Sequence, residues 1–470
     1  MKLLLITLSA LLLTSCASYT PKPLAPEAQI AAFESRSLDT ADVRQFFERS
    51  LGHEVAPWPP KFWDITTLTL TAFYFHPDLD MARAQRLLAE AGVITAGGRP
   101  NPAAALSIQR NTDAPTGQSP WTYGLNIDVP LETAGKRDYR IEQARYLAQA
   151  AKLREAEAIW QVHSRVRASL LATYPTEAAV RRQKDLQEQI ARLLERRLAE
   201  GYASQPEVTQ AHLALNQITL ALRENQKLKA ENLAKLAATV GLPAHALEAA
   251  ALSFDTFEQV PPASVLPSAA LQHEALLSRP DVLAALAEYE ASQSALQLEV
   301  ARQYPDIALG PGYLWDAGQV KWSLGLSLAL PLLNRNQGPI AEAEARREQA
   351  AANFLSVQAK AIGEVEQVLA GYGHAVALFE SAAALLHDQQ KNERAATAAF
   401  KAGASDRLAW LSAQYETATA ELAYINALSQ AQQTVGHLED ALRRPIGGDM
   451  LPATAEQAVM ARQLRNGEQP

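Results

Sequence analysis

The chain is poor in the residues on which covalent and metal chemistry depend. Cys16 is its only cysteine in 470 residues, so no disulfide can close within a chain. Four methionines are too few for a soft-metal relay. The nine histidines are scattered from His53 to His437, with no pair four residues apart and no cysteine partner, which argues against zinc. No Gly-x-Ser-x-Gly elbow occurs, and Gly97-Gly98, Gly371-Tyr372-Gly373 and Gly447-Gly448 lack the setting of a phosphate loop. No catalytic residue, metal ligand or cofactor is therefore assigned. Positive charge is not in excess either: the net charge is −8, and no basic stripe interleaved with aromatics marks a nucleic-acid surface. Beyond residue 16 there is no uninterrupted apolar run of about 18 residues, the length of a membrane helix. If this chain crosses a membrane, it does so with strands.

What is present begins at the N-terminus. Lys2 precedes an apolar run from Leu3 to Leu13, too short to span as a mature helix, so it reads as a secretory signal. Cys16 follows Leu13-Thr14-Ser15 and precedes Ala17, an arrangement that resembles a bacterial lipobox. It implies cleavage before Cys16 and lipidation of that residue; the alternative is an ordinary signal peptide with an incidental cysteine. The composition, 48% hydrophobic and 20% charged, is that of a structured protein.

The rest of the chain is written twice. His76-Pro77-Asp78-Leu79 returns as Arg279-Pro280-Asp281-Val282. In each copy an Ala-rich helical stretch leads to two short alternating segments, a long helix, a glycine break and a second helix that ends at a proline. Those end points are Gly201, Ser204 and Pro243, then Gly403, Asp406 and Pro445, with identical spacings. This divides the chain into a signal (1–15), an N-terminal extension (16–75), a first repeat (76–243), a connector with little helix (244–279), a second repeat (280–445) and a polar tail (446–470). One short helix is expected near Thr40–Leu51 behind a cap at Asp39, and Phe62-Trp63-Asp64 opens another that breaks at Pro77.

The alternating segments carry the membrane question. Trp121, Tyr123, Leu125, Ile127, Val129 and Leu131 alternate with small or polar residues. Trp322, Leu324, Leu326, Leu328 and Leu330 repeat the pattern within a strand expected over Lys321–Pro331. Period-two alternation over about ten residues with aromatics near one end suits a transmembrane barrel strand, with a half-buried soluble hairpin as the alternative. The preceding partners, Leu106 and Ile108, then Ile307, Leu309, Tyr313 and Trp315, are weaker, and Pro311 fits a strand only at an edge or bulge.

Two helices of about 64 residues, roughly 95 Å at 1.5 Å per residue, are expected over Lys136–Leu198 and Gly338–Lys401. Each should bend near its middle, at Pro175 and at Gly371-Tyr372-Gly373. Tyr372, Val376, Phe379, Ala383 and Leu386 face Leu408, Leu411, Tyr415, Ala418, Leu422 and Ile425 at coiled-coil spacing. At the turns, Gly201 ends the incoming helix and Ser204 with Glu207 forms a capping box, while Gly403 and Asp406 are the second-copy counterparts. Capping alone accounts for these residues; their carboxylates could also raise the local cation concentration.

Together these features resemble the TolC-type outer membrane efflux channel family. The resemblance rests on the repeated Pro-Asp before an Ala-rich helix, on Leu131-Glu132-Thr133-Ala134-Gly135-Lys136-Arg137, on Pro331-Leu332-Leu333-Asn334-Arg335-Asn336-Gln337-Gly338, and on the tip pattern from Gly201 to Ala211. The Asn-Arg-Asn-Gln-Gly run is most similar to the branch serving heavy-metal cation pumps. The second tip departs from the pattern, with Ala409 and Trp410 where a carboxylate and an aliphatic usually sit. The resemblance implies a mainly α fold with a small β part. It implies a homotrimer whose four strands per chain form a twelve-stranded barrel in outer membrane lipid, above an α-helical tunnel. It also implies a periplasmic adaptor meeting the tips and an inner-membrane pump that loads heavy-metal cations or drugs. A periplasmic adaptor or a structural coiled-coil lipoprotein are the competing classes.

Overall fold

The computed structural model describes residues 19–262, 264, 266 and 269–446. The signal segment, Cys16 and the tail from residue 447 lie outside the described residues.

The N-terminal extension holds α1 (Pro26–Glu34) and α2 (Ala41–Leu51). The first was not expected; it buries no residue, and its sequence has no apolar stripe to announce it. The second is capped by Thr40, which accepts from Val43 N, not by Asp39. Next, α3 (Ile65–Phe75) begins at a reciprocal cap: Asp64 Oδ1 accepts from Thr67 N at 2.8 Å, and Thr67 Oγ1 accepts from Asp64 N at 2.9 Å. Proline at the first position then opens α4 (Pro77–Gly97), where its missing N–H costs nothing.

The first copy continues with β1 (Ala103–Arg110), β2 (Trp121–Leu131), α5 (Lys136–Ala172), α6 (Glu177–Ala199) and α7 (Gln205–Val240). A short α8 (His245–Glu248), a 3-10 turn and α9 (Ala269–Ser278) occupy the connector, which is thus more helical than expected. The second copy gives α10 (Pro280–Ala301), β3 (Ile307–Asp316), β4 (Gln319–Leu328), α11 (Gln337–Lys401) and α12 (Arg407–Leu442). The last strand lies slightly earlier than the alternation over Lys321–Pro331 suggests: it starts at Gln319 and stops before Leu330.

The two long helices behave differently. Pro175 breaks the first outright, leaving residues 173–176 outside helix between α5 and α6, because proline removes a donor and disfavours helix in the residue before it. Gly371 and Gly373 leave α11 continuous over 65 residues. The intervening Tyr372 is 2% exposed and donates its hydroxyl to Pro261 O at 2.7 Å, which fixes the helix there.

Within the repeats α4 packs on α5, and α6 on α7; α10 packs on α11, and α11 on α12. Between them α5 packs on α10 and α6 on α12. The main core lies at the waist, where Phe46, Phe47, Leu68, Phe73, Val162, Leu170, Leu236 and Phe257 are buried together. A second cluster joins Tyr372 and Val376 to Val435, Leu438 and Leu442. A third, of Leu186, Ile190, Leu411 and Ala418, zips the two hairpins lower down. Part of α11 is long and apolar enough to cross a membrane by length and composition, yet this helix runs along α12 through the second cluster.

Candidate functional site

The four strands form one antiparallel sheet in the order β1-β2-β3-β4. Its register sorts the side chains by face, with Leu314 and Arg110 as the exceptions. Leu106 pairs with Leu125 and Ile108 with Tyr123; Leu125 pairs with Tyr313 and Tyr123 with Trp315; Leu309 pairs with Leu326 and Tyr313 with Trp322. Since successive side chains point to opposite faces, Trp121, Tyr123, Leu125, Ile127, Trp322, Leu324, Leu326 and Leu328 share one face, and all eight are exposed. Their aromatics gather towards the hairpin turns: Trp121 stacks on Tyr123, Tyr123 meets Trp315 with ring centroids 5.5 Å apart, and Tyr313 meets Trp322 at 5.1 Å.

The other face is small and polar apart from Leu314, which lies beside Gly124. Thr122, Gly124, Asn126, Ser323, Gly325 and Ser327 lie on it, and it is crowded: a Cβ at Gly124 would collide with Ser107 Oγ, and one at Gly312 with Ser323 Oγ. Opposite Pro311 the ladder to β2 skips Ile127 and Asp128, which accommodates a residue that cannot donate.

The two motifs after the strand pairs form the joint between sheet and helices. Lys136 is buried; its ammonium donates to Asp306 Oδ1 at 2.7 Å and to Tyr304 O at 2.6 Å, while Thr133 N donates to Asp306 Oδ1 at 3.0 Å. Arg140 holds Glu132 through both carboxylate oxygens and keeps its carboxyl below the usual range. In the second copy Asn336 Nδ2 donates to Glu299 O at 2.7 Å.

At the opposite end, Gly201 and Gly403 adopt φ of 78° and 71°, the left-handed conformation that glycine adopts without strain. Glu207 reaches back to Ser204, accepting from its N at 2.6 Å and its Oγ at 2.7 Å, and these bonds lower its pKa. Asp406 accepts from Ala409 N at 2.8 Å and from Arg197 Nη2 at 2.6 Å, and both hold its carboxyl below the usual range. The Arg197 contact was invisible in the sequence. It ties the two hairpins together and places a cation beside Asp406. Trp410 stacks on Phe400 with centroids 5.0 Å apart and donates to Thr397 Oγ1 at 3.1 Å.

Sequence reasoning also missed a charged girdle at the waist. Arg279, 1% exposed, donates to both oxygens of Asp281, to Glu364 Oε2 at 3.0 Å and to Ala441 O at 2.8 Å. Its position just before the repeated Pro-Asp was the available signal. In the first copy Arg165 pairs with Asp78 at 2.7 Å. Nearby, His163 lines a cavity of about 440 Å³ with Arg167, Gln432 and Glu439, and burial pushes its pKa down to about 4. Among the described residues no group of three or more His, Cys, Asp or Glu is placed to hold a metal.

The sequence model of the family described as outer membrane efflux protein matches residues 74–242 and 271–443, one block in each repeat. The chain is 25% identical over 364 residues to the cobalt-zinc-cadmium resistance protein CzcC of Cupriavidus metallidurans, covering 76% of this chain and 84% of that one. It is 27% identical over 368 residues to the pyoverdine export outer membrane protein OpmQ of Pseudomonas aeruginosa, covering 72% and 74%. Among solved structures, the Vibrio cholerae outer membrane protein VceC superposes with a TM-score of 0.64 at 22% identity, over 82% of this chain and 97% of that one. CusC gives 0.64 at 20% identity, over 91% and 99%.

Proposed function

The chain belongs to the outer membrane efflux protein family, and from that premise we propose that it is one subunit of a trimeric channel through which a pump and adaptor expel small solutes across the outer membrane. The observation that carries this reading is the sheet register. Four strands collect their large apolar side chains, Leu314 excepted, on one face and leave unpaired edges at β1 and β4. Lipid does not tolerate open edges, and four strands are too few to close a barrel alone. Three chains supply twelve, with Trp121, Tyr123, Leu125, Ile127, Trp322, Leu324, Leu326 and Leu328 facing lipid and the glycine-serine face lining the lumen.

In this reading Cys16 carries a lipid anchor in the outer membrane. The helices continue the lumen into the periplasm, and the tips at Gly201, Ser204, Glu207, Gly403 and Asp406 form the entrance where the adaptor docks. The relatives are efflux channels rather than enzymes, and we assign this chain no catalytic residue. The pump selects the cargo. A metal-cation cargo is the first candidate, because the Asn334-Arg335-Asn336-Gln337-Gly338 run resembles the heavy-metal branch and CzcC bears a cobalt-zinc-cadmium name. Deleting the gene should raise cellular retention of zinc, cobalt or cadmium ions, with the wild-type copy reversing it. Unchanged metal retention together with increased retention of an organic dye would transfer the cargo to the organic class. No change in either would contradict an efflux role.

A further inference from the structure

Transmembrane barrels carry an aromatic girdle at each membrane interface, and this sheet carries only one. Trp121, Tyr123, Tyr313, Trp315 and Trp322 all lie towards the hairpin turns. At the other end, where Ile307 pairs with Leu131 on one side and Leu328 on the other, the four described strands hold no aromatic residue. An anchor for the periplasmic interface therefore has to come from residues just beyond the strands.

The loop after β4 supplies one. Exposed apolar residues alternate without a break from Trp322 to Leu332, four residues past the end of the strand, and Leu332 is 76% exposed. Leu333 is fully exposed, and Tyr304, three residues before β3, is 61% exposed. Polar neighbours build the loop and leave these side chains outside. Asn334 Oδ1 accepts from Asn336 N at 2.8 Å, Gln337 Oε1 accepts from Arg335 N at 3.2 Å, and Asn336 Nδ2 donates to Glu299 O at 2.7 Å and Oε2 at 2.9 Å. The Arg335 guanidinium is exposed and meets no partner among the described residues. The first copy does the opposite. Pro130 and Pro331 stand 201 positions apart, so Glu132 and Ala134 are the counterparts of Leu333 and Arg335. Arg140 holds Glu132 into the joint. The second copy thus has an exposed leucine in place of a tethered carboxylate, and an exposed arginine in place of an alanine.

We propose that Tyr304, Leu332, Leu333 and Arg335 form a collar that docks on phospholipid of the periplasmic leaflet, the leucines entering the acyl boundary and Arg335 holding lipid phosphate. The height fits. At about 3.3 Å per residue and a tilt of about 40°, Leu332 lies at most about 10 Å below Leu328. The bond from Leu332 N to Leu330 O at 2.9 Å folds that path and shortens it. The headgroup layer is about 5–8 Å thick on each side, so the loop falls within it. At that level an apolar side chain is stabilised by reaching into the acyl region, and a guanidinium by pairing with phosphate. This inference rests on reading the sheet as a membrane barrel and adds its periplasmic anchor.

A nitroxide on one added cysteine reads the depth. The full-length protein is refolded into vesicles of phosphatidylethanolamine and phosphatidylglycerol, and the signal of the unsubstituted chain with its Cys16 is subtracted. Dissolved oxygen concentrates in lipid, whereas a nickel chelate stays in water. The ratio of oxygen to nickel accessibility should be at least about threefold higher at Leu326→Cys and Leu333→Cys than at Ala134→Cys, the exposed first-copy position. A ratio at Leu333→Cys equal to that at Ala134→Cys, with Leu326→Cys still high, overturns the collar and leaves the barrel standing. A label at Leu333→Cys that neither reagent reaches also overturns the collar, because the loop is then covered by protein. A low ratio at Leu326→Cys overturns both readings. Arg335→Glu should at least double nickel access at Leu333→Cys in the same vesicles, and unchanged access overturns the phosphate contact.

Discussion

Charge placed along β4 should cost free energy in proportion to depth and face. The strand Gln319–Leu328 has ten residues; at about 3.3 Å each and a tilt of about 40° it rises roughly 25 Å, the height of an outer-membrane apolar band. Leu324, the sixth residue, then lies about 13 Å from the turn, at midplane. Leu328 lies near the periplasmic boundary. Arginine on the lipid face costs about 2–4 kcal/mol at midplane and about 0–1 near an interface. Leu324→Arg should therefore destabilise each chain by about 2–4 kcal/mol, Leu326→Arg by less and Leu328→Arg by the least. Ser327→Arg points into the lumen and should be nearly neutral for insertion. Urea titration of the protein refolded into lipid vesicles reads the four midpoints. Equal losses for Leu324→Arg and Ser327→Arg, or the largest loss at Leu328, would refute the assignment of faces.

Three further outcomes follow from other parts of the molecule. Cys16→Ala should abolish incorporation of a radioactive fatty acid, and undiminished labelling would remove the anchor. Asp406→Asn keeps the cap and loses the Arg197 pair, an exposed contact worth about 0–1 kcal/mol, whereas Asp406→Ala also loses the cap and should cost about 1 kcal/mol more; hydrogen exchange in the first turn of α12 distinguishes them, and identical protection would show that the side chain caps nothing. His163 has a folded pKa of about 4, below its ordinary value near 6.5. As pH falls through this window the unfolded chain takes up a proton that the folded waist refuses, so stability should drop by up to about 3 kcal/mol. The urea midpoint should fall less between pH 7 and pH 4.5 in His163→Gln than in the wild type, and parallel slopes would contradict the burial argument.

The parts legible in the sequence are those governed by local rules. Strict alternation from Trp121 to Leu131 marked the strand whose bounds the structure repeats, and Gly201, Ser204 and Glu207 marked the tip because a capping box is a contact over three residues. Pro175 and Gly371-Tyr372-Gly373 looked alike as breakers and are not: proline removes a hydrogen bond by covalent structure, while glycine in a helix costs only about 1 kcal/mol, which the burial of Tyr372 offsets. The partners of residues that meet across distant segments left no local trace. Arg279 meets Ala441 across 162 residues, and Arg197 meets Asp406 across 209. The helix Pro26–Glu34 escaped because no buried stripe shapes its composition.

The central claim is that chains join through their sheet edges into one water-filled conduit. Its most direct test is to extract the full-length protein in detergent, weigh the native assembly and insert the same fraction into a planar bilayer. A mass of three chains with discrete, long-lived conductance steps is the result this account predicts. A mass of one chain, or a three-chain assembly that inserts into the bilayer and passes no current, would contradict it.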